Sequence, residues 1–374
     1  MEQLDVNNVF LHGELNEEVY MLPPPGAILS RPNVQSHADH SLLIKSEGDS
    51  FTALLIYVDD IVVAGNDKTK IDSVKRSLDS EFKIKDLGNL HYFLGLEILR
   101  SVDGLLISQR KYALELISDG GMLGAKPCST PLEPGLKLEQ DAGHPYEDVA
   151  SYHRLIGRLL YLTTTRPDIC HAVQQLSQFI SKPTDIHMNA ALHVLRYLKN
   201  APSNGLFYPA ANKLQPSGFA DSDWAVCADT RRSITGFCVF IGSALVSWES
   251  KKQGTVSRSS SEAEYRSLAA LTCKIQWIRY LLQDLQVPFH KAVPIYCDNR
   301  SAIYLAHNPT FHERTKHIEI DCHLIREKIL DGLVHFLPIA SGDQLADPFT
   351  KSLSVGPFKS LVGKLGLRNT HPPT

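Results

Sequence analysis

The feature that most constrains this chain is the stretch Ala53-Leu54-Leu55-Ile56, Tyr57-Val58-Asp59-Asp60, Ile61-Val62-Val63-Ala64. Two apolar, largely β-branched runs flank a short polar break. The pattern predicts buried strands joined by a tight turn, with two acids at its tip. Two ionised carboxylates about 4 Å apart repel by roughly 4 kcal/mol at an effective dielectric near 20. A turn needs only one Asp, so the pair makes most sense if a divalent cation neutralises both. An acidic hairpin turn is the plainer alternative.

A third acid bears on that choice. Asp5 interrupts another apolar segment, Gln3 to Leu11. Three carboxylates on neighbouring strands can hold two Mg²⁺ ions, which order a triphosphate and activate a 3′-hydroxyl. With "LDVNNVFLHGELNEEVYM", "QSHADHSLLIK", "LLIYVDDIVVAG" and "FKIKDLGNLHYFLGLEI" in hand, the chain resembles the copia-type retrotransposon Pol polyproteins of plants, up to about residue 355. The resemblance implies that Asp5, Asp59 and Asp60 are the metal-binding carboxylates of a reverse transcriptase. It also implies that Phe10 and Tyr57 contact the nucleotide, with Phe10 where the family blocks a ribose 2′-hydroxyl.

Bulk properties leave room for this. At 374 residues and 43% hydrophobic content, the chain can build two or three domains with cores of their own. A net charge of −3 gives no global nucleic-acid signal, so any such binding must come from local basic patches. The seven cysteines show no C-x-x-C spacing, which fits buried free thiols in a reducing compartment. No apolar run nears the ~18 residues of a membrane span. No basic-then-apolar leader opens the chain, so a secreted protein is not expected. By the resemblance, the setting is cytoplasmic, in a virus-like particle, or nuclear.

Residues 1–100 read as strands and hairpins, and 101–213 as mostly helical. From Ser217 the pattern becomes strand, strand, strand, long helix, strand, helix, helix, strand, helix. Acids sit at its joints: Asp221 ends a strand, Glu264 opens the long helix, Asp298 follows a strand, and Asp347 begins a C-terminal helix. Strand ends and helix starts are where an α/β fold converges side chains, and two Mg²⁺ ions held there would activate water at a phosphodiester. The order of acids, with "FADSDWA", "SSSEAEYRSL" and "YCDNRSA", resembles the ribonuclease H domain of the same polyproteins. The resemblance implies that Asp221, Glu264, Asp298 and Asp347 are catalytic metal ligands.

Helical geometry separates two neighbouring acids. Glu262 and Glu264 lie about 200° apart around a helix, so both cannot face one site. Ser259 and Glu262 have capping-box spacing. Glu264 instead starts the stripe Leu268, Leu271, Ile275, Ile278, Leu282 and Leu285, which should face the sheet. Asp221 and Asp223 share a strand face, so geometry leaves both open as ligands; the resemblance selects Asp221. Arg231, Arg232, Lys251, Lys252 and Arg258, with Trp224 and Trp248 among them, are candidates for phosphate contact, against the alternative of a solvated hairpin. His312, His317, Cys322 and His323 look like zinc ligands, but Ile318, Cys322, Ile325 and Ile329 form an apolar helical stripe, and no zinc is expected. The family often carries a His shortly before the last Asp; "LPIASGDQLAD" has none, so another group or solvent must aid product release.

The interval from Asp5 to Asp59 is short for the family and lacks a "LYGLKQAPRxW"-like stretch that positions template and nucleotide. An internally deleted palm is expected. The full expectation is a mixed α+β and α/β chain. It comprises a partial palm over 1–100, a thumb- or connection-like part over 101–213, and a ribonuclease H-like five-stranded mixed sheet with flanking helices over 214–355. A tail covers 356–374. The resemblance implies Mg²⁺ as cofactor, with Mn²⁺ able to substitute. It implies an RNA–DNA hybrid as substrate, other Pol and Gag products as partners, and no membrane. The expected activity is hydrolysis of the RNA strand beside an inactive polymerase remnant. The alternatives are retained polymerase activity and a non-catalytic nucleic-acid-binding remnant.

Overall fold

A computed structural model describes residues 1–6, 36, 38–308 and 318–369. The chain divides into two compact units, residues 1–98 with 277–288, and residues 99–276 with 289–374. The expected parts 101–213 and 214–355 therefore share one unit, except for residues 277–288, which belong to the first.

The first unit is built on β1 (Glu2–Val6), β2 (Leu42–Glu47), β3 (Ser50–Tyr57), β4 (Asp60–Gly65) and β5 (Ile84–Asn89), in the order β2-β3-β4-β1-β5. Its pairs are antiparallel. The helix α1 (Lys68–Phe82) starts at Asp67, whose carboxylate accepts from the amides of Thr69 and Lys70, satisfying orphan donors of the first turn. Its Ile71 packs with Leu4, Ile61 and Val63. The strands β6 (Tyr92–Phe93) and β7 (Leu96–Arg100) form a short hairpin. Residues 277–288 complete the unit: Leu281 and Leu285 pack on Leu42, Ile44 and Ala53, and the Ser36 hydroxyl donates to Asp284 at 2.7 Å.

The second unit opens with β8 (Gly104–Ser108), followed by α2 (Arg110–Asp119), α3 (Val149–Leu162), α4 (Cys170–Ser177) and α5 (Asp185–Asn200). These helices share a core that includes Leu116, Ile156, Leu159, Val173, Val194 and Leu198. A buried ion pair sits among them. The Arg166 guanidinium donates to both carboxylate oxygens of Asp168, at 2.7 and 2.9 Å, and to the carbonyl of Ala201 at 3.0 Å. The Tyr197 hydroxyl donates to the same Asp168 at 2.6 Å. Nearly every polar atom of this fully enclosed cluster is satisfied, which is what makes burying the charges tolerable.

The strand β9 (Asn204–Pro209) pairs with β8 and with β15 (Leu367–Asn369). Next come β10 (Pro216–Ser222), β11 (Ile234–Ile241), β12 (Ala244–Lys252), α6 (Ser260–Asp284), β13 (Val293–Cys297), α7 (Arg300–His307), α8 (Glu319–Leu330), β14 (Val334–Pro338) and α9 (Val355–Lys364). This order matches the expected alternation of strands and helices. The sheet runs β12-β11-β10-β13-β14, antiparallel among the first three strands and parallel across β10-β13-β14. It is the five-stranded mixed sheet that was expected. Gly218 of β10 lies under α6, where a Cβ would come 3.0 Å from Leu271; the glycine lets the helix approach. Leu268, Leu271, Ile275, Ile278 and Leu282 of the expected stripe are buried, but Leu285, expected to face this sheet, belongs to the first unit and packs on Leu42, Ile44 and Ala53.

Two expectations need correction. Asp347 does not begin a C-terminal helix. It begins a single 3₁₀ turn, Asp347–Phe349, and the helix α9 starts at Val355. Asp223 does not continue the β10 face. The strand stops at Ser222, and the Asp223 carboxylate accepts from the Ile234 amide instead. Its other oxygen is buried without a hydrogen-bond partner. Burial, with the charge of Asp221 adding to it, pushes this carboxyl up to about 7.

Two outcomes follow. Arg166→Met leaves Asp168 buried and uncompensated, and should lower stability by about 3–5 kcal/mol in urea unfolding; a loss below about 1 kcal/mol would refute the role given to the pair. For Asp223, a raised folded-state value means stability that is present in acid and lost as pH rises through about 7. In chelator, wild type should lose on the order of 2–4 kcal/mol from this group between pH 5 and 9. Asp223→Asn keeps an acceptor for Ile234, and should melt higher than wild type at pH 8 with a flatter pH profile. Parallel profiles would contradict this.

Candidate active site

The sheet gathers acids at one end because β10 and β13 run parallel. Asp221 is near the end of β10, and Asp298 directly follows β13. The first turns of α6 add Glu264, and the 3₁₀ turn adds Asp347. Asp221 is 1% exposed and Glu264 5% exposed, so their charges are poorly screened.

Electrostatics joins all four into one cluster. Burial, then the charges of Asp221 and Asp298, push the Glu264 carboxyl well above the usual carboxylate range. Burial, then Asp221, push Asp347 up against the opposing pull of Lys351. Donor atoms of Glu264, Cys297 and Asp298 lie within 4.8 Å of one another. Burial, then Glu264, push the Cys297 thiol up. It is therefore a protonated donor toward Glu264, at 3.8 Å, rather than a thiolate ligand.

Several positioning groups escaped the sequence reading. Lys351 reaches Asp347 at 2.8 Å and Asp221 at 3.2 Å. The Thr350 hydroxyl donates to Asp221, and the Ser341 hydroxyl donates to Asp298 at 2.7 Å. Gln344, fully buried, donates to the Ala220 carbonyl at 2.9 Å and accepts from the Ala346 amide. It ties the segment before Asp347 to β10. Gly236 stands opposite Asp221 on β11. A Cβ there would meet Thr350 at 2.5 Å and Phe349 at 2.9 Å, so the glycine admits the turn that carries Asp347. Lys351 follows Asp347 by four residues, the spacing of a helical pair, and that was the available signal.

Glu262 turns away from the cluster. Its carboxylate accepts from the Arg258 amide at 2.8 Å and pairs with Arg266, while the Ser259 hydroxyl accepts from the Glu262 amide. This is a capping arrangement, reached one residue earlier than the expected box. Arg231, Arg232, Lys251 and Arg258 are exposed. Lys252 is not available in the same way, because its ammonium contacts Gln178 at 2.8 Å and the Cys227 thiol at 2.9 Å. The exposed Trp224 donates to the Ser257 carbonyl, and Trp248 donates to that of Thr163. Cys322 and Ile325 are buried, as the stripe requires; His312 and His317 lie outside the described residues.

In the first unit, Tyr57 pairs with Asp60, leaving a two-residue loop of Val58 and Asp59. Val58 has φ 53°, an unfavourable conformation for a β-branched residue. Asp5 stands directly opposite Asp60 across β1 and β4. The Gln3 amide donates to Asp60 at 3.2 Å, easing the repulsion of like charges in opposed positions. Tyr57 is exposed, and Phe10 lies outside the described residues. Among the described residues, Asp5, Asp59 and Asp60 do not form a group of three donors within 4.8 Å of one another.

Comparison with known proteins finds relatives along the whole chain. The family described as "Reverse transcriptase (RNA-dependent DNA polymerase)" matches residues 29–134. The chain is 40% identical over 405 aligned residues to the Pol polyprotein from transposon RE1 of Arabidopsis thaliana, covering 100% of this chain and 28% of that relative. It is 33% identical to the Pol polyprotein from transposon TNT 1-94 of Nicotiana tabacum, covering 97% of this chain and 31% of the relative. Among solved structures, a ribonuclease H1 isolated from compost aligns over 37% of this chain and 93% of its own, at 14% identity and a TM-score of 0.30. The chain thus spans less than a third of the length of these curated relatives. It belongs to the copia-type retrotransposon Pol family.

Proposed function

We propose that the second unit hydrolyses the RNA strand of RNA–DNA hybrids in a divalent-cation-dependent reaction, and that the first unit is a polymerase remnant without activity. The observation that carries the hydrolase reading is the convergence of Asp221, Glu264, Asp298 and Asp347 at one end of the mixed sheet, with the carboxyls of Glu264 and Asp347 held up by burial and mutual repulsion. Carboxylates crowded this way fit Mg²⁺ or Mn²⁺, since the donors are hard oxygens and their charge is undercompensated. A bound ion would supply neutralising charge and a water of lowered pKa. The protein's own part is to hold the acids in place. Ser341 orients Asp298 and Thr350 orients Asp221, while Gln344 and Gly236 fix the turn that presents Asp347. In the reaction, a water oxygen bonds to phosphorus as the bond to the 3′-oxygen breaks. A required 2′-hydroxyl on the cut strand would distinguish RNA from DNA. Arg231, Arg232, Lys251 and Arg258 are exposed for phosphate contact. Other Pol and Gag products are partners consistent with the family.

The full chain should cut the RNA strand of a labelled hybrid with Mg²⁺ or Mn²⁺ and leave duplex DNA intact. Asp221→Asn, Glu264→Gln, Asp298→Asn and Asp347→Asn should each raise the barrier by on the order of 3 kcal/mol, roughly a hundredfold in rate. Glu262→Gln keeps a carbonyl for the Arg258 amide and should retain most activity. Equal losses at Glu262 and Glu264 would refute the assignment of the helix faces.

Polymerase activity should be absent, because catalysis needs metals, template and nucleotide held together within a fraction of an ångström. The segment expected to position template and nucleotide is missing from the interval between Asp5 and Asp59. Incorporation of dNTPs on a primed RNA template above an Asp59→Asn, Asp60→Asn control would overturn this.

A further inference from the structure

The acidic cluster is unevenly compensated. Asp221 and Asp347 share the Lys351 ammonium, at 3.2 and 2.8 Å. Among the described residues, the side chains that hydrogen-bond Glu264 and Asp298 are neutral donors, the Cys297 thiol and the Ser341 hydroxyl. Lys351 differs in exposure from the group it contacts. Its side chain is 40% exposed, against 1% for Asp221. Its backbone is pinned, with the amide donating to the Asp347 carbonyl at 3.0 Å. A fixed root and a half-exposed, flexible stem let the ammonium leave the carboxylates without disturbing the turn.

We propose that Lys351 is a built-in counter-ion, which holds Asp221 and Asp347 together in the metal-free protein and is displaced when a divalent cation binds. The inference rests on the reading of these acids as metal ligands. A divalent ion outcompetes the ammonium because it carries twice the charge and can be approached by several carboxylates at once. The competition has a cost: metal affinity is lower than the acids alone would give. Lys351 is a positioning residue and sets the concentration of cation at which the site fills.

Mn²⁺ binding to the full chain, followed by electron paramagnetic resonance of the free ion, tests this directly. Lys351→Met should bind Mn²⁺ on the order of tenfold more tightly than wild type, since the competing charge is gone. Its metal-free melting temperature should fall, and its Mn²⁺-induced rise should exceed that of wild type. Lys351→Gln, which keeps a polar head, provides a second test and should also bind more tightly. A purely structural lysine would lower melting with and without metal, and would leave affinity unchanged or weaker; that result overturns the inference. So does a Lys351→Met protein with unchanged Mn²⁺ affinity and weakened hybrid binding, which would make Lys351 a phosphate contact. In either case, wild type that binds Mn²⁺ and cuts hybrid keeps the hydrolase reading intact. Wild type that neither binds Mn²⁺ nor cuts overturns both.

Discussion

Repulsion among four crowded carboxylates is the constraint around which the second unit is arranged. The topology makes the crowding unavoidable. Parallel β10 and β13 end side by side, α6 begins beside them, and the turn from Asp347 closes against β11. Each pair of ionised carboxylates near 4 Å would cost roughly 4 kcal/mol at an effective dielectric near 20. The fold offsets this with one lysine, with hydroxyl donors from Thr350 and Ser341, and with retained protons on Glu264 and Cys297. None of these devices is needed for the sheet itself, which has an apolar core in Phe237, Val239, Ile295 and Leu271.

The contrast with the hairpin of the first unit is instructive. There Asp59 is exposed and Asp5 and Asp60 are half-buried, the last two facing each other across a single strand pair, with the Gln3 amide donating to Asp60. These charges are less buried than those of Asp221 and Glu264, and the added local difficulty is conformational: a valine in a left-handed loop position that glycine or asparagine would occupy without strain. The two acidic centres therefore carry different liabilities, electrostatic in one and in part steric in the other.

Much of this was legible in the sequence. The order of strands and helices after Ser217 follows from hydrophobic periodicity, and the 100° step of a helix was enough to turn Glu262 and Glu264 to different sides. Other features were not legible, for identifiable reasons. Asp223 looked like a strand residue because alternation continues through it, but the strand ends where its carboxylate captures the Ile234 amide. Asp347 looked like a helix start because Pro at the next position suits both an α-helix and a 3₁₀ turn. Lys252 looked like a phosphate contact because basic residues cluster there, yet Gln178 and Cys227, distant in sequence, hold it. The misses at Asp223 and Lys252 turn on tertiary partners that no local pattern encodes.

The first unit is discontinuous, needing residues 277–288 to cover Leu42, Ile44 and Ala53. On a ribosome this imposes a waiting time. Translation at 5–20 residues per second delivers that segment roughly ten to forty seconds after residue 98. Over that interval the face of β2 and β3 that carries Leu42, Ile44 and Ala53 lacks the cover of Leu281 and Leu285. Vulnerability to chaperone capture or to pairing with a second nascent chain is thus set by the spacing of two segments along the message, and a slow codon run between them would lengthen it.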